Sequence, residues 1–332
     1  MKRANLLLAP FFLLVAACGQ SNSFNGSPPP ASPPPPPPPA GNSQMVVTED
    51  NAKPASRVAY KSTMDANNTG GYVGDTGVAG SPGGFQKPGI ESSLSGMLTR
   101  AIQKVPLGPD VYDCGVSGTQ TISGELADIF TLSAGDQINV DATDCDDGLG
   151  EVVNGRMEMT IATFSGDLLA GMYLLEVDVL LIDFEVATAT DTVLTNGDST
   201  VSIDTTGMPL VAMSISGTSL TNASLTSTET LTGFTTYQTV DTSVMPEPYT
   251  LEATGTVDSS QLSGSISYST PVTFQGAGAA YPYAGEMFIV GANDATIRLI
   301  ALDEVNVRIE TDTDGDGMVD ATEDTTWADI AL

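Results

Sequence analysis

Near the end of the sequence stands Asp312-Thr313-Asp314-Gly315-Asp316-Gly317-Met318-Val319-Asp320, followed at short distance by Glu323. Hard divalent cations take roughly six to eight oxygen ligands, and alternate carboxylates on a turning chain can supply them. Other chemistries are closed off by composition. The 332 residues include no histidine, so Ser-His-Asp and Cys-His nucleophile pairs and imidazole metal sites are absent. Asp75-Thr76-Gly77 matches an aspartic-protease triplet only superficially, since no second apolar-Asp-Thr/Ser-Gly unit follows, and it reads as a turn. A hydrolase working with two carboxylates needs no histidine and stays as the alternative function. The sequence does not select its pair; Asp146/Asp147 and Glu176/Asp178 read as solvent-facing charges.

The acidic run resembles the calcium loop of EF-hand proteins over all twelve positions of segment 312–323. The resemblance implies Asp312, Asp314, Asp316, the Met318 carbonyl, Asp320 and Glu323 as ligands, with Gly317 at the sharp turn. The flanks depart from that family. Val305-Asn-Val307-Arg-Ile309 reads as a strand where an entering helix belongs, and Thr325-Thr326-Trp327 also favours extended chain. If the segment is a hairpin, Glu323 runs away from Asp312. Calcium is the expected cofactor, in a structural clamp and not a sensor.

At the other end, Lys2 and Arg3 precede an apolar run from Leu6 to Val15, too short for the ~20 residues that span a bilayer. Leu14-Val15-Ala16-Ala17-Cys18 resembles the bacterial lipobox. That resemblance implies a signal peptide over 1–17, removed to leave Cys18 carrying diacylglycerol and a further acyl chain such as palmitate. Gly19 in place of an aspartate points to the outer membrane, with the chain facing the periplasm or the surface. With Cys18 assigned to lipid, Cys114 and Cys145 remain. An oxidising compartment permits them to form a disulfide, worth ~3 kcal/mol for a loop of that length. The alternative, a reactive thiol, lacks any nearby base in the sequence.

The elements that must position these residues follow. Residues 18–90 are rich in Pro, Gly, Ser and Asn and read as a disordered tether; Pro28–Pro39 alone spans roughly 37 Å as polyproline II. Leu94, Met97, Leu98, Ala101, Ile102 and Val105 recur at helical spacing, so an amphipathic helix is expected over 91–107. Residues 108–332 alternate as antiparallel β-strands, an all-β meander curled into a sandwich, half-barrel or barrel. Asn154-Gly155 and Asn196-Gly197 read as two-residue hairpin turns. The reversed parity near Leu180–Ile182 calls for a bulge, bend or turn. A lone tryptophan and 6% aromatic content are thin for the two girdles of a transmembrane barrel.

The net charge of −30 is concentrated in the β segment, where Arg156, Arg298 and Arg308 face 36 carboxylates. No basic footprint exists for nucleic acid. Cys114-Gly-Val-Ser-Gly, Ala134-Gly-Asp136, Asp144-Cys145, Val153-Asn-Gly155, Tyr283-Ala-Gly-Glu-Met-Phe-Ile-Val-Gly291 and the closing Thr326-Trp327 together resemble a group of Gram-negative β-rich envelope lipoproteins. That resemblance implies paired cysteines and an antiparallel β fold, and no activity. The expected function is therefore a non-catalytic, outer-membrane-anchored binding or structural module. Its partners are the membrane, through Cys18, and a protein, lipid or polysaccharide.

Overall fold

The computed structural model describes residues 43–73, 107–128, 131–146, 148, 150–168, 170–189 and 191–331, all within the unit Ser32–Leu332. The expected signal peptide, Cys18 and residues 91–106 of the expected helix lie outside these residues, and Leu107, its expected last residue, opens β1. Fourteen strands form one antiparallel sheet in sequence order: β1 Leu107–Asp113, β2 Ser117–Glu125, β3 Gln137–Asp146, β4 Val152–Asp167, β5 Met172–Ala187, β6 Thr192–Asp204 and β7 Leu210–Ala223. The second half comprises β8 Thr228–Asp241, β9 Pro248–Ser259, β10 Ile266–Ala277, β11 Ala284–Val290, β12 Thr296–Ala301, β13 Asn306–Asp312 and β14 Ala321–Thr326. The meander expected from the alternation is what forms. It stays open, with β1 and β14 as its edges. Cys114 and Cys145 are joined, tying the β1–β2 connection to β3.

Helix α1, Glu49–Val73, stands inside the segment expected to be tether. Its start is capped reciprocally: the Thr48 N–H donates to Asn51 Oδ1, and the Asn51 N–H donates to Thr48 Oγ1. The tether reading failed here because small and hydroxylic residues make up most of the buried face and dilute its few large apolar ones. Ala52, Ala55, Ser56, Ala59, Ser62, Thr63 and Ala66 are all buried, with Val58, Tyr60 and Met64 among them. Small side chains bring the helix close to the sheet, which it crosses over β7 to β13. Pro54, a residue that argues against a helix, lies inside α1, past its first turn, where it forfeits one backbone hydrogen bond.

Lys53, Arg57, Lys61 and Asp65 recur every four residues on one side of α1. Lys53 Nζ reaches Glu323 at 3.1 Å and Asp329 at 3.7 Å. Arg57 Nη2 donates to the Asp329 carbonyl at 2.8 Å. Lys61 Nζ lies 2.7 Å from Asp65 and 3.4 Å from Glu229, which is only 2% exposed. At the C-terminus a helical turn, α2 (Trp327–Ile330), carries the buried Trp327. Its ring meets Tyr60 of α1 at 4.8 Å and Phe274 of β10 at 5.8 Å. Its indole N–H donates to the Pro282 carbonyl at 2.9 Å.

Neither Asn-Gly pair makes a hairpin turn. Both lie inside strands, β4 and β6, where the glycines take φ of 98° and 144° at bulges. Asn154 Oδ1 accepts the Asp144 N–H and Asn196 Oδ1 accepts the Asp183 N–H, each at 2.7 Å. Asp144 and Asp183 are themselves left-handed, both with φ of 47°. A Cβ on Gly155 would overlap the Asp183 carbonyl. The parity slip in β5 is this same bulge, between Leu181 and Phe184 against β6. Asn-Gly supplies positive φ either to a turn or to a bulge, and the pairing partners across the sheet decide which.

Burial raises the pKa of Glu229, with Lys61 offsetting only part of the effect. A carboxylate whose folded pKa is raised stabilises the fold fully below its unfolded pKa, and that contribution is lost as pH rises through the folded value. Glu229→Gln is therefore expected to gain stability relative to the native chain at pH 7 and lose that advantage toward pH 4, as read by urea unfolding. Lys61→Ala, which strands the buried carboxylate, is expected to cost about 1–3 kcal/mol at pH 7 in the same assay.

Candidate metal centre

The acidic run forms the loop between β13 and β14, whose last paired residues are Thr311 and Ala321. Asp312 closes the loop from inside. Its Oδ1 accepts the Gly315 N–H and its Oδ2 the Gly317 N–H, both at 2.8 Å, and it is 6% exposed. The two glycines take φ of 74° and 84°, a conformation that disfavours other residues. Gly315 also abuts the β11–β12 turn, where a Cβ would overlap the Asn293 carbonyl. From the far side, Asp320 Oδ2 accepts the Thr313 N–H at 2.8 Å and its hydroxyl at 2.6 Å. These hydrogen bonds, the hydroxyl foremost, hold the Asp320 pKa below the usual carboxylate value.

Asp312, Asp314 and Asp320 each bring one carboxylate oxygen to within 4.8 Å of the others, so the three can hold a metal ion. This set contains only hard anionic oxygens, the chemistry of alkaline-earth cations more than of soft metals. The other residues of the run are placed differently. Asp316 is outside the cluster and its Oδ1 accepts the Met318 N–H at 2.8 Å. Glu323 stands on β14 opposite Ile309 and pairs with Lys53. Three extended residues carry it about 10 Å beyond Asp320. The twelfth position of an EF-hand loop returns to the ion on an exiting helix; a strand carries it away.

A cleft of about 220 Å³ adjoins the loop, and its lining includes Phe288, Asp294, Thr296, Arg298, Glu310 and Asp312. Phe288, Arg298 and Glu310 form one cross-strand row over β11, β12 and β13, and Thr296 pairs with Asp312 in a parallel row. The Arg298 guanidinium is clamped, with Nε and Nη2 on Glu286 at 2.8 and 2.7 Å and Nη1 on Glu310 at 2.8 Å. These partners, Glu286 foremost, raise its pKa. Asp294 sits in the β11–β12 turn with φ of 61°, next to Asn293 at 59°. Asn and Asp tolerate that conformation, so the pair itself was a legible turn signal. Its meeting with a loop about twenty residues later was not, because nothing local encodes it.

The chain matches no protein-family model, no curated protein and no solved structure.

This geometry separates the acidic residues in a titration. Asp314→Asn is expected to weaken cation binding by about tenfold or more, and Glu323→Gln to leave it unchanged. Terbium luminescence with competing Ca²⁺ checks both.

Proposed function

We propose that this chain is a lipid-anchored, non-catalytic module of the Gram-negative outer membrane, whose β13–β14 loop takes up calcium. The observation that carries the binding role is the convergence of Asp312, Asp314 and Asp320 on one loop whose backbone amides already orient Asp312. Three carboxylates on an exposed loop suit a cation of flexible coordination, with a Kd on the order of 10⁻⁴–10⁻³ M as in extracellular modules. Bound calcium joins the two arms of the hairpin, Asp312 at the end of β13 and Asp320 just before β14. It also offsets part of the local negative charge. The anchor reading rests on Leu14-Val15-Ala16-Ala17-Cys18, and the long Pro-rich stretch that follows suits a spacer between lipid and fold.

Two experiments test the two halves. Cys18→Ser is expected to move the protein from the membrane fraction to the soluble periplasmic fraction; unchanged membrane fractionation overturns the anchor. Calorimetric titration with Ca²⁺ is expected to show saturable heat and a raised Tm reversed by EGTA. At tenfold excess over Kd the stabilisation is about 1.4 kcal/mol. No heat and no shift in Tm overturn the calcium role.

A further inference from the structure

We infer that one end of the sheet is a docking surface for a basic amphipathic segment of a partner protein. Successive turns of a meander fall at alternate ends, so the β4–β5, β6–β7 and β8–β9 turns share one end and the β13–β14 loop lies at the other. The inference is therefore independent of the calcium and anchor readings. At the shared end stand Met172, Met208, Leu210, Val244 and Met245. Met245 is 77% exposed and the other four between 51% and 54%. Apolar side chains exposed singly are ordinary, but a contiguous group marks an interaction surface.

The backbone makes these turns contiguous. The Thr205 N–H donates to the Tyr173 carbonyl at 2.9 Å, which joins the residue after Met172 to the β6–β7 turn. The Thr242 N–H donates to the Pro209 carbonyl at 2.9 Å, which joins that turn to the β8–β9 turn. An aspartate at the end of each preceding strand braces its turn. Asp167 accepts the Ala170 N–H, Asp204 that of Thr206 and Asp241 that of Ser243. Turns fixed in this way need little ordering of the backbone on docking.

Charge then selects the occupant. Residues 168–172, 205–210 and 242–246 contain no Lys or Arg, whereas Asp167, Asp204, Asp241 and Glu247 border the apolar group. A second copy meets the same carboxylates, and an anionic lipid surface is repelled by them. A neutral bilayer leaves them unanswered. Apolar side chains flanked by Lys and Arg complement both features. The unbranched, polarisable side chains of Met172, Met208 and Met245 adapt to the face of such a helix.

Fluorescence anisotropy tests this on the full chain carrying Cys18→Ser, with a dansylated synthetic helix of Leu and Lys as the probe. Saturable binding is expected at physiological ionic strength. The triple variant M172S/M208S/M245S is expected to weaken it about tenfold or more. Met245→Ser alone, at the most exposed of the five positions, is expected to act in the same direction and keeps the test valid if the triple variant loses stability. Leu225→Ser, on the β7–β8 turn at the opposite end, is expected to leave binding unchanged. Twin probes with Ser for Leu, or Gln for Lys, are expected to bind about tenfold more weakly or less. No binding of the parent probe, equal binding of either twin, or an affinity indifferent to the methionine substitutions overturns the inference. Methionine-dependent sedimentation with phosphatidylcholine vesicles also overturns it, in favour of a membrane, and a methionine-dependent dimer overturns it in favour of a second copy.

Discussion

An open sheet of fourteen strands exposes two faces, and this one also carries a large excess of negative charge. Helix α1 answers both problems for strands β7 to β13. Its buried side is built from alanine, serine and threonine, which permits close approach, and Tyr60 inserts among Phe274 and Trp327. Its remaining side is a row of cations that meets Glu323, the Asp329 carbonyl and Glu229. Removing area from water supplies the driving force, and the cations spare the sheet part of its self-repulsion. The last strand and the C-terminal turn are fastened through the same helix, so the candidate metal hairpin stands on this contact.

The acidic side chains are used in two ways. At bulges and turns they serve the backbone: Asp198 accepts N–H groups from Thr218 and Ser219, and Asp303 accepts those of Val305 and Asn306. Such a carboxylate replaces a ladder partner that the irregularity has removed. In the β13–β14 loop the balance differs, because several oxygens converge with fewer donors than acceptors. Asp312 faces two amides, yet its neighbours Asp314 and Asp320 bring oxygens to the same spot. Carboxylate oxygens gathered at such close quarters could hold a metal ion.

Much of this was readable beforehand. Period-two alternation announced the strands, and the slip at Leu180–Ile182 announced a bulge, bend or turn, of which the register shift between Leu181 and Phe184 is the bulge. The strand-like flanks of the acidic run gave warning that Glu323 would not return to Asp312. The helix at Glu49–Val73 was missed because Ala, Ser and Thr outnumber Val58, Tyr60 and Met64 on its buried face, and because Pro54 and the surrounding Pro, Gly and Asn resemble a linker. Its capping pair, Thr48 and Asn51, was the available signal. The Asn-Gly pairs misled for a different reason: positive φ is a local requirement, whereas turn or bulge is settled by what lies across the sheet.

By itself the sequence determined the strand pattern, the preference for oxygen-ligand chemistry and the position of a carboxylate-rich turn. These follow from residue type and short-range spacing, which act within a few residues. The tertiary structure alone decided that α1 lies over β7 to β13 and that the sheet stays open. It also selected Asp312, Asp314 and Asp320 from the acidic run, and set Phe288, Arg298 and Asp294 beside them. Those outcomes depend on contacts between segments far apart in the chain, where strand register and close packing fix which side chains meet.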